Sequence, residues 1–332
     1  MLKQLEYWIR KVIRETKDLE FDTHLIGVRT KKEDYPKAIF NRTLSEAVKR
    51  KYGSRFDPKN PDVQIICDID KDEIEFYIKP VFLYGRYRKL VRGIPQTRWD
   101  CKECGGKGCE KCNYTGKMYP ESVEEIIGDK VKEYFKAEEI ILHGCGREDV
   151  DARMLGNGRP FVLEIRKPWK RRVDLNKLTE EINDSAKGKI EVLFLRYTER
   201  HAVRLIKAVR PKKVYLVNVK FEERVDKSKL LMALDELKGK EIVQRTPIRV
   251  LHRRANLKRI RKVYDCKLIE FNDSTAKIEF TCESGMYVKE MISGDFGRTK
   301  PSLSEILGVQ CEVQELDVIG VEKIPLEEFG FL

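Results

Sequence analysis

Long apolar segments are absent from this sequence of 332 residues. No window approaches the ~18 consecutive apolar residues of a membrane-spanning helix, so we expect no membrane contact. The opening segment, MLKQLEYWIRKVIRETKD, is charged throughout and lacks the apolar region of a secretory signal peptide. Together these absences predict a cytoplasmic protein.

Cysteine and histidine are scarce, with nine Cys and four His. The odd number of cysteines and the clustering of four of them argue against the disulfide framework of a small secreted domain. The zinc-protease helix motif, the phosphate-binding P-loop and the dinucleotide-binding glycine fingerprint are all missing. We therefore expect no organic cofactor.

Charge is abundant and unbalanced. The 67 Lys and Arg exceed the 55 Asp and Glu, giving a formal net charge of +12. Such an excess favours a nucleic-acid partner, although many basic proteins bind none. The 41% of apolar residues is enough to bury a core, and the length suggests two domains at ~150 residues each.

Apolar periodicity predicts two α+β parts separated by a glycine- and cysteine-rich break. The first hundred residues should hold helices at 1–18 and 44–51 and strands at 24–28, 63–69 and 73–81. The second part should form a mixed or antiparallel sheet. Its expected helices lie at 122–135, with Ser122 as N-cap and Glu125 completing a capping box, 177–184 and 228–237, and its expected strands at 140–143, 161–165, 191–196, 214–220, 263–271 and 277–282.

The break contains a C-x2-C-x4-C-x2-C motif formed by Cys101, Cys104, Cys109 and Cys112. Four thiolates suit tetrahedral Zn²⁺, and the flanking glycines let the backbone direct N–H groups toward the sulfurs. We expect a closed, structural zinc site; an iron–sulfur centre and a redox pair are the alternatives. The other five cysteines lie in apolar contexts and are expected in the core.

The segment HGCGREDVDARMLGNGRPFVLEI, residues 143–165, combines glycines, acids and arginines after an expected strand. A carboxylate in such a loop can act as a nucleophile or general base, and neighbouring arginines would keep it ionised. Asp149 and Asp151 are both candidates on this reasoning. From composition alone, a solvated surface turn is an equally good interpretation.

REDVDARMLGNGRPF resembles the signature of the archaeal and eukaryotic tRNA pseudouridine synthases that modify positions 54 and 55. The likeness runs from about residue 60 to the end of the chain. It includes GRYRKLVRGIPQTRW at 85–99, YPESVEEII at 119–127, QRTPIRVLHRR at 244–254 and SGMYVKEMISGDFGRTKPSLSEIL at 284–307. Several of these blocks are long and specific.

The resemblance implies roles for individual residues. Asp149, after Arg-Glu, would be the catalytic carboxylate, with Asp151 as the nearby alternative. Tyr215 in KKVYLVNV would stack on the target base and assist proton movement. Lys289 in GMYVKE would pair with the catalytic Asp, with Tyr287 close by. Further substrate contacts are expected from Arg147 in the same loop as Asp149 and from Leu303, which would line the base pocket.

Residues 245–262, RTPIRVLHRRANLKRIRK, hold eight Lys and Arg and no acid. The interleaved apolar residues Ile248, Val250, Leu251, Leu257 and Ile260 would anchor one side of this strip. Its cations Arg253, Arg254, Lys258 and Arg259 would then contact tRNA phosphates. A second basic strip at 166–172 contains Trp169, which is expected either to stack on a base or to anchor the chain half-buried.

The resemblance implies an α+β enzyme with three parts: a THUMP-like RNA-binding domain at 1–100, a zinc module at 101–118 and a mixed-sheet pseudouridine synthase domain at 119–332. It would isomerise uridine in the tRNA T-arm, at position 54, 55 or both, as a monomer. The alternatives are a non-catalytic tRNA-binding module and another THUMP-bearing enzyme, a methyltransferase or a thiolation enzyme. A methyltransferase should show a glycine-rich adenosylmethionine loop and a thiolation enzyme a PP-loop, and this sequence contains neither motif.

Overall fold

The computed structural model describes residues 2–252 and 254–325, which group into two compact units. The first contains residues 2–83, 128–141 and 163–178. The second contains 84–127, 142–162 and the described residues from 179 onward. None of the helices in the described part of the chain is long and apolar enough to cross a bilayer.

The first unit is built on a sheet of four strands in the order β2-β1-β3-β4. Strand β1 is parallel to β2 and β3, and β4 runs antiparallel to β3. The two helices bury Trp8, Val12, Phe40 and Leu44 in its core. The elements are α1 (Leu2–Glu15), β1 (Thr23–Arg29), α2 (Lys37–Tyr52), β2 (Arg55–Phe56), β3 (Val63–Asp68) and β4 (Glu73–Ile78).

These elements confirm the helix and strands expected from periodicity, with two differences of extent. Helix α2 begins at Lys37 instead of residue 44, and its first turn adds the buried Phe40 to the core while Ile39 is exposed. Strand β4 ends at Ile78, and Val81 starts a separate strand after Lys79-Pro80. Proline lacks the N–H that a continuous ladder would need.

The remaining elements follow in chain order. They are β5 (Val81–Lys89), α3 (Val123–Phe135), β6 (Glu139–Gly144), β7 (Arg153–Arg166), α4 (Leu175–Ser185), β8 (Ile190–Thr198), α5 (His201–Ala208), β9 (Lys213–Phe221), α6 (Lys227–Leu237), β10 (Glu241–Arg245), β11 (Lys258–Asn272), β12 (Thr275–Cys282), α7 (Val288–Ser293), β13 (Thr299–Lys300), α8 (Leu303–Leu307) and β14 (Cys311–Val321), with 3₁₀ turns at Glu110–Cys112 and Ile248–Val250.

A ten-stranded sheet runs in the order β13-β10-β11-β12-β9-β14-β7-β5-β8, with β6 paired to β7. Strand β9 is antiparallel to both β12 and β14, whereas β14 meets β7 in parallel. The sheet is therefore mixed, and the expected α+β fold class is confirmed. Helices α6, α7 and α8 pack against it and bury Leu230, Met291 and Leu303 in one core.

The start of α3 also follows the sequence prediction. Ser122 Oγ accepts a hydrogen bond from Glu125 N at 3.2 Å and donates one to the Glu125 carboxylate at 2.8 Å. Ser122 thus satisfies one of the N–H groups that a helix start leaves without a partner.

Within the glycine-rich segment 143–165, the loop is shorter than the composition suggested. Strand β7 begins at Arg153, so Gly156 and Gly158 lie within the sheet. Both have left-handed backbone, with φ of +57° and +70°. A Cβ on Gly156 would lie 1.8 Å from the carbonyl oxygen of Ile319. The glycines therefore permit close strand packing, and only the residues between β6 and β7 form the loop.

The second basic strip, residues 166–172, is neutralised within the first unit. Lys170 and Arg171 pair with Glu20 and Asp62 at 2.9 and 3.4 Å, and Arg172 pairs with Asp22. The Trp169 ring lies half-buried against Phe76, with ring centroids 6.2 Å apart. These contacts favour the anchoring interpretation of Trp169 over base stacking.

We expect Gly156→Ala to destabilise the second unit by more than about 1 kcal/mol, because the new Cβ has no space and the backbone is left-handed. The measurement is thermal unfolding followed by circular dichroism. Gly188→Ala is the matched control, since Gly188 also has positive φ, +74°, but no atom within 4 Å of its Cβ position. Equal losses for the two variants would contradict the packing argument.

Candidate active site and cysteine cluster

A cavity of about 450 Å³ lies in the second unit. It is lined by the β6–β7 loop, the start of β9, the segment after β10 and the residues that lead into α7. Its cations outnumber its carboxylates, which are Glu148 and Asp149. The expected site residues that it brings together are Arg147, Asp149, Tyr215, Arg254, Tyr287 and Lys289.

Asp149 is half-buried and ion-paired, but its partner differs from the expected one. Arg249 Nη2 lies 3.0 Å from Asp149 Oδ2, and Arg249 Nε lies 2.7 Å from Glu290 Oε1. Burial acts to lower the pKa of Arg249, but the two carboxylates outweigh it and raise that pKa above its ordinary value. The guanidinium is thus held permanently charged between the two acids.

Lys289, expected to pair with the catalytic Asp, pairs in this structure with Asp151 and not with Asp149. Lys289 Nζ lies 2.6 Å from Asp151 Oδ2, two residues further along the loop. Burial acts to raise the pKa of Asp151, but its hydrogen bond to Lys289 and the Lys289 charge hold that pKa below the ordinary value. Asp151 is 67% exposed, against 31% for the Asp149 side chain. Asp149 is therefore the better shielded of the two carboxylates.

Tyr215 lies on β9 and is 7% exposed. Burial, with a smaller effect from the Cys282 thiol, raises the pKa of its phenol far above the ordinary value. The phenol therefore stays protonated, and Tyr215 presents a neutral aromatic surface to the cavity.

Leu303, which was expected to line the base pocket, is fully buried in the core at the start of α8. It is not among the residues that line the cavity.

A buried network of ion pairs and hydrogen bonds holds the loop that carries Asp149. Glu148 lies 2.8 Å from the Arg159 guanidinium and accepts a 2.9 Å hydrogen bond from the Tyr87 hydroxyl. Burial acts to raise the pKa of Glu148, but the charges of Arg159 and Lys89 hold it below the ordinary value. Lys89 Nζ in turn donates to the carbonyl of Asp149 at 3.1 Å.

Basic and aromatic side chains surround the cavity. Arg254 donates to the Tyr287 hydroxyl at 3.0 Å, and the Arg259 guanidinium lies over the Tyr287 ring, 5.9 Å from its centroid. The Arg147 guanidinium lies 4.9 Å from the centroid of a Trp99 ring. Arg253, also expected at the substrate, lies outside the described residues.

The basic run 245–262 is anchored differently from the prediction. Ile248, Leu257 and Ile260 are 47%, 51% and 49% exposed, so they do not anchor the strip. Val250 is buried, and Thr246 bonds to the carbonyl of Ala255 at 2.7 Å. Buried Val250, half-buried Leu251 and hydrogen bonds within the loop hold the described cations of this run in place.

Cys101, Cys104, Cys109 and Cys112 bring their four Sγ atoms within 4.8 Å of one another. Three of the sulfur pairs are 3.7, 3.9 and 3.9 Å apart. A tetrahedral zinc with Zn–S bonds of ~2.3 Å requires sulfurs ~3.8 Å apart, so the donor set fits the metal. Backbone N–H groups of Cys109 and Gly116 each donate to Cys112 Sγ at 3.2 Å and stabilise a thiolate.

Of the other five cysteines, Cys67, Cys145, Cys282 and Cys311 are buried, as expected, and Cys266 is half-buried against the core. None of the nine forms a disulfide. Burial raises the pKa of the Cys67 and Cys266 thiols to about 12 and so keeps them protonated.

Sequence reasoning missed Arg249, Glu290, Lys89 and Arg159. A signal was present, because each lies in a block that carried the family resemblance. Those blocks matched without assigning these residues a role, since their partners lie 11 to 100 positions away and cannot be paired from a single sequence.

Comparison with known proteins gives two family matches. Residues 82–322 match the model described as "Pus10, C-terminal", and residues 2–79 match the THUMP domain. The first match spans more than half of the chain, and the THUMP domain expected near the amino terminus is therefore present.

Relatives agree with these matches. The protein named tRNA pseudouridine synthase Pus10 of Archaeoglobus fulgidus is 46% identical over 332 residues, covering 96% of this chain and 92% of its own. The protein of the same name from Methanocaldococcus jannaschii is 44% identical over 341 residues, covering 99% and 75%. The family resemblance found in the sequence is confirmed: this chain belongs to the Pus10 family.

Proposed function

We propose that this chain isomerises uridine to pseudouridine in the T-arm of tRNA, at position 54, 55 or both, with Asp149 as the catalytic carboxylate. Membership of the Pus10 family supports the reaction and the tRNA substrate. The observation that carries the choice of residue is the half-buried Asp149, ion-paired to Arg249 in the cavity that Tyr215 also lines.

Uridine and pseudouridine are isomers, so the reaction consumes no oxidant, reductant or co-substrate, and we propose that it proceeds without an organic cofactor. The target nucleotide leaves the stack at a cost of about a few kcal/mol. Asp149 then attacks the ribose or the base, or assists elimination, and the N1–C1′ bond breaks. The uracil turns and bonds to C1′ through C5, C5 loses its proton and N1 gains one. Tyr215 would hold the detached ring by stacking, and Arg249, 3.0 Å from Asp149 Oδ2, would hold the Asp149 carboxylate in place.

The cationic side chains around the cavity would bind the phosphates of the flipped nucleotide and its neighbours. Arg147, Arg254 and Arg259 already lie against aromatic rings or hydroxyls, so their positions are set before RNA binds. Folded RNA is read mainly through backbone and shape, which suits such a surface. Arg253 and Tyr287 are proposed as further contacts, while the burial of Leu303 supports only an indirect role behind the pocket.

We propose that the four clustered cysteines hold a structural zinc, with no open position for catalysis. The site sits between Asp100 and Lys117, which pair as an antiparallel bridge, and Met118 N donates to the carbonyl of Trp99 at 2.9 Å. The metal would thereby fix the position of Trp99, whose ring contacts the Arg147 guanidinium.

The division into a THUMP-like domain at 1–100, a zinc module at 101–118 and a catalytic domain at 119–332 stays a prediction. So do the monomeric state and the cytoplasmic location. A non-catalytic tRNA-binding module is the alternative function, and the first experiment below separates it from an enzyme.

Asp149→Asn should lower tritium release from tRNA transcript labelled with [5-³H]uridine by at least about 1000-fold, because loss of a nucleophile removes most of the rate enhancement. Asp151→Asn is the matched control, from the same loop and also ion-paired. It should retain most activity. An active Asp149→Asn with an inactive Asp151→Asn would reverse the assignment, and a folded wild type that binds tRNA without releasing tritium would favour the binding module.

Transcripts in which uridine 54 or uridine 55 is replaced by cytidine will locate the target. If both uridines are substrates, we expect tritium release to persist when either one is replaced. If only one uridine is a substrate, release should vanish when that uridine is replaced and persist when the other is. Replacement of both should abolish release in either case. Mapping pseudouridine by carbodiimide modification and primer extension checks the position directly. Full release from the double variant would exclude the T-arm assignment.

Metal analysis of the purified protein should find one zinc per chain, and Cys112→Ser should lower both the zinc content and the midpoint of thermal unfolding, because metal binding contributes folding free energy. Cys266→Ser is the control thiol, half-buried and outside the cluster. Iron or an iron–sulfur absorption band in place of zinc would contradict the zinc assignment.

A further inference from the structure

Lys213 is a buried cation in the cavity to which the proposed reaction assigns no role. It is the first residue of β9 and is 5% exposed. Alternate residues of a strand point to the same face, so Lys213 and Tyr215 share one side of β9. Both line the cavity with Asp149.

Within residues 2–252 and 254–325, Lys213 Nζ makes no hydrogen bond or ion pair. The nearby loop makes room for it: a Cβ on Gly146 would lie 2.8 Å from Lys213 Nζ and 3.1 Å from Arg159 Nη1. Two cationic groups thus converge on one glycine. A buried ammonium without an acceptor is costly, so a position of this kind fits a group that awaits an anionic partner.

The charged and titratable groups that face Lys213 come from each neighbouring element. They are Arg159 on β7, Cys145 and Glu148 in the β6–β7 loop, and Arg210 just before β9. Glu148 is already paired with Arg159 at 2.8 Å. Burial, followed by the Arg159 charge, lowers the pKa of Lys213 to about 7. An anion that enters the cavity would draw a proton onto this amine.

We propose that Lys213 is a catalytic residue whose ammonium binds the anionic oxygen of the uracil ring once that ring has detached from the ribose. This inference rests on the proposed function. When the N1–C1′ bond breaks, its electron pair stays on the uracil, which spreads the charge from N1 to O2 and O4. The shared face with Tyr215, proposed to stack on that ring, places the ammonium beside the base.

A substrate phosphate is the other anionic oxygen that Lys213 could meet. A phosphate is charged before and after bond cleavage. Loss of a contact between Lys213 and a phosphate would therefore weaken substrate binding and raise KM. The uracil oxygen gains its charge only as the bond breaks, so its loss would lower kcat. Steady-state kinetics therefore separates the two sources.

Lys213→Met should lower kcat for tritium release by about 100-fold or more, the usual effect of removing one donor to a developing anion, and leave KM nearly unchanged. Lys212→Met is the matched control: the neighbouring lysine is half-exposed, near Glu322 and over the Tyr264 ring, and should keep wild-type kinetics. A raised KM at unchanged kcat, or wild-type kinetics for Lys213→Met, would overturn the proposal.

The pH profile gives a second test. Since the ammonium of the free enzyme is present below a pKa of about 7 and lost above it, wild-type kcat/KM should fall as pH rises through that value. Lys213→Arg should remain active at high pH and lose this fall, because a guanidinium stays charged. A profile for Lys213→Arg that coincides with the wild type would overturn the assignment.

Thermal unfolding separates catalysis from folding. The pKa of Lys213 is lower in the folded protein than its ordinary value, so the lysine destabilises the fold at neutral pH, and Lys213→Met should match or exceed the wild-type unfolding midpoint. A lower midpoint together with lost activity would indicate a structural role and overturn the proposal. A wild type without tritium release would instead refute the proposed function itself.

Discussion

The buried ion pair between Glu148 and Arg159 is the interaction on which the rest of the site depends. Both side chains are 1% exposed, and their N···O distance is 2.8 Å. Breaking one side of such a pair leaves an uncompensated buried charge at a cost of about 3–5 kcal/mol, so the loop between β6 and β7 has little freedom to move. Asp149 follows Glu148 directly and inherits that rigidity.

Two other parts of the chain hold Asp149 in this loop. Lys89, at the end of β5, binds the Asp149 carbonyl, while Arg249, from a 3₁₀ turn, binds its carboxylate. The backbone and the side chain of one residue are thus held by two different cations. Because electrostatic catalysis works best when the charged groups are fixed before the substrate arrives, this arrangement suits a site that changes the bonding of a flipped base.

The same surplus of cations explains how one surface can serve both binding and chemistry. Those at the edge, such as Arg147 and Arg254, contact aromatic rings or hydroxyls and remain accessible to phosphates. Lys213, deeper in the cavity, has no such contact, and the low dielectric around it makes its charge depend on what enters. Burial therefore distinguishes the accessible arginines, proposed to contact RNA phosphates, from Lys213, proposed to act in the reaction.

The sequence alone determined the α+β class, the cysteine cluster, most strands and the identity of the acidic loop, because local spacing and periodicity encode these features. Spacing alone did not separate Asp149 from Asp151, the family resemblance favoured Asp149 with Lys289 as its partner, and Arg249 was missed. Only the tertiary structure showed that Lys289 pairs with Asp151 and that Arg249 pairs with Asp149. Strand order in the mixed sheet brings residue 149 beside residue 249. A contact between residues a hundred positions apart forms only when the chain folds, so no local sequence pattern predicts it.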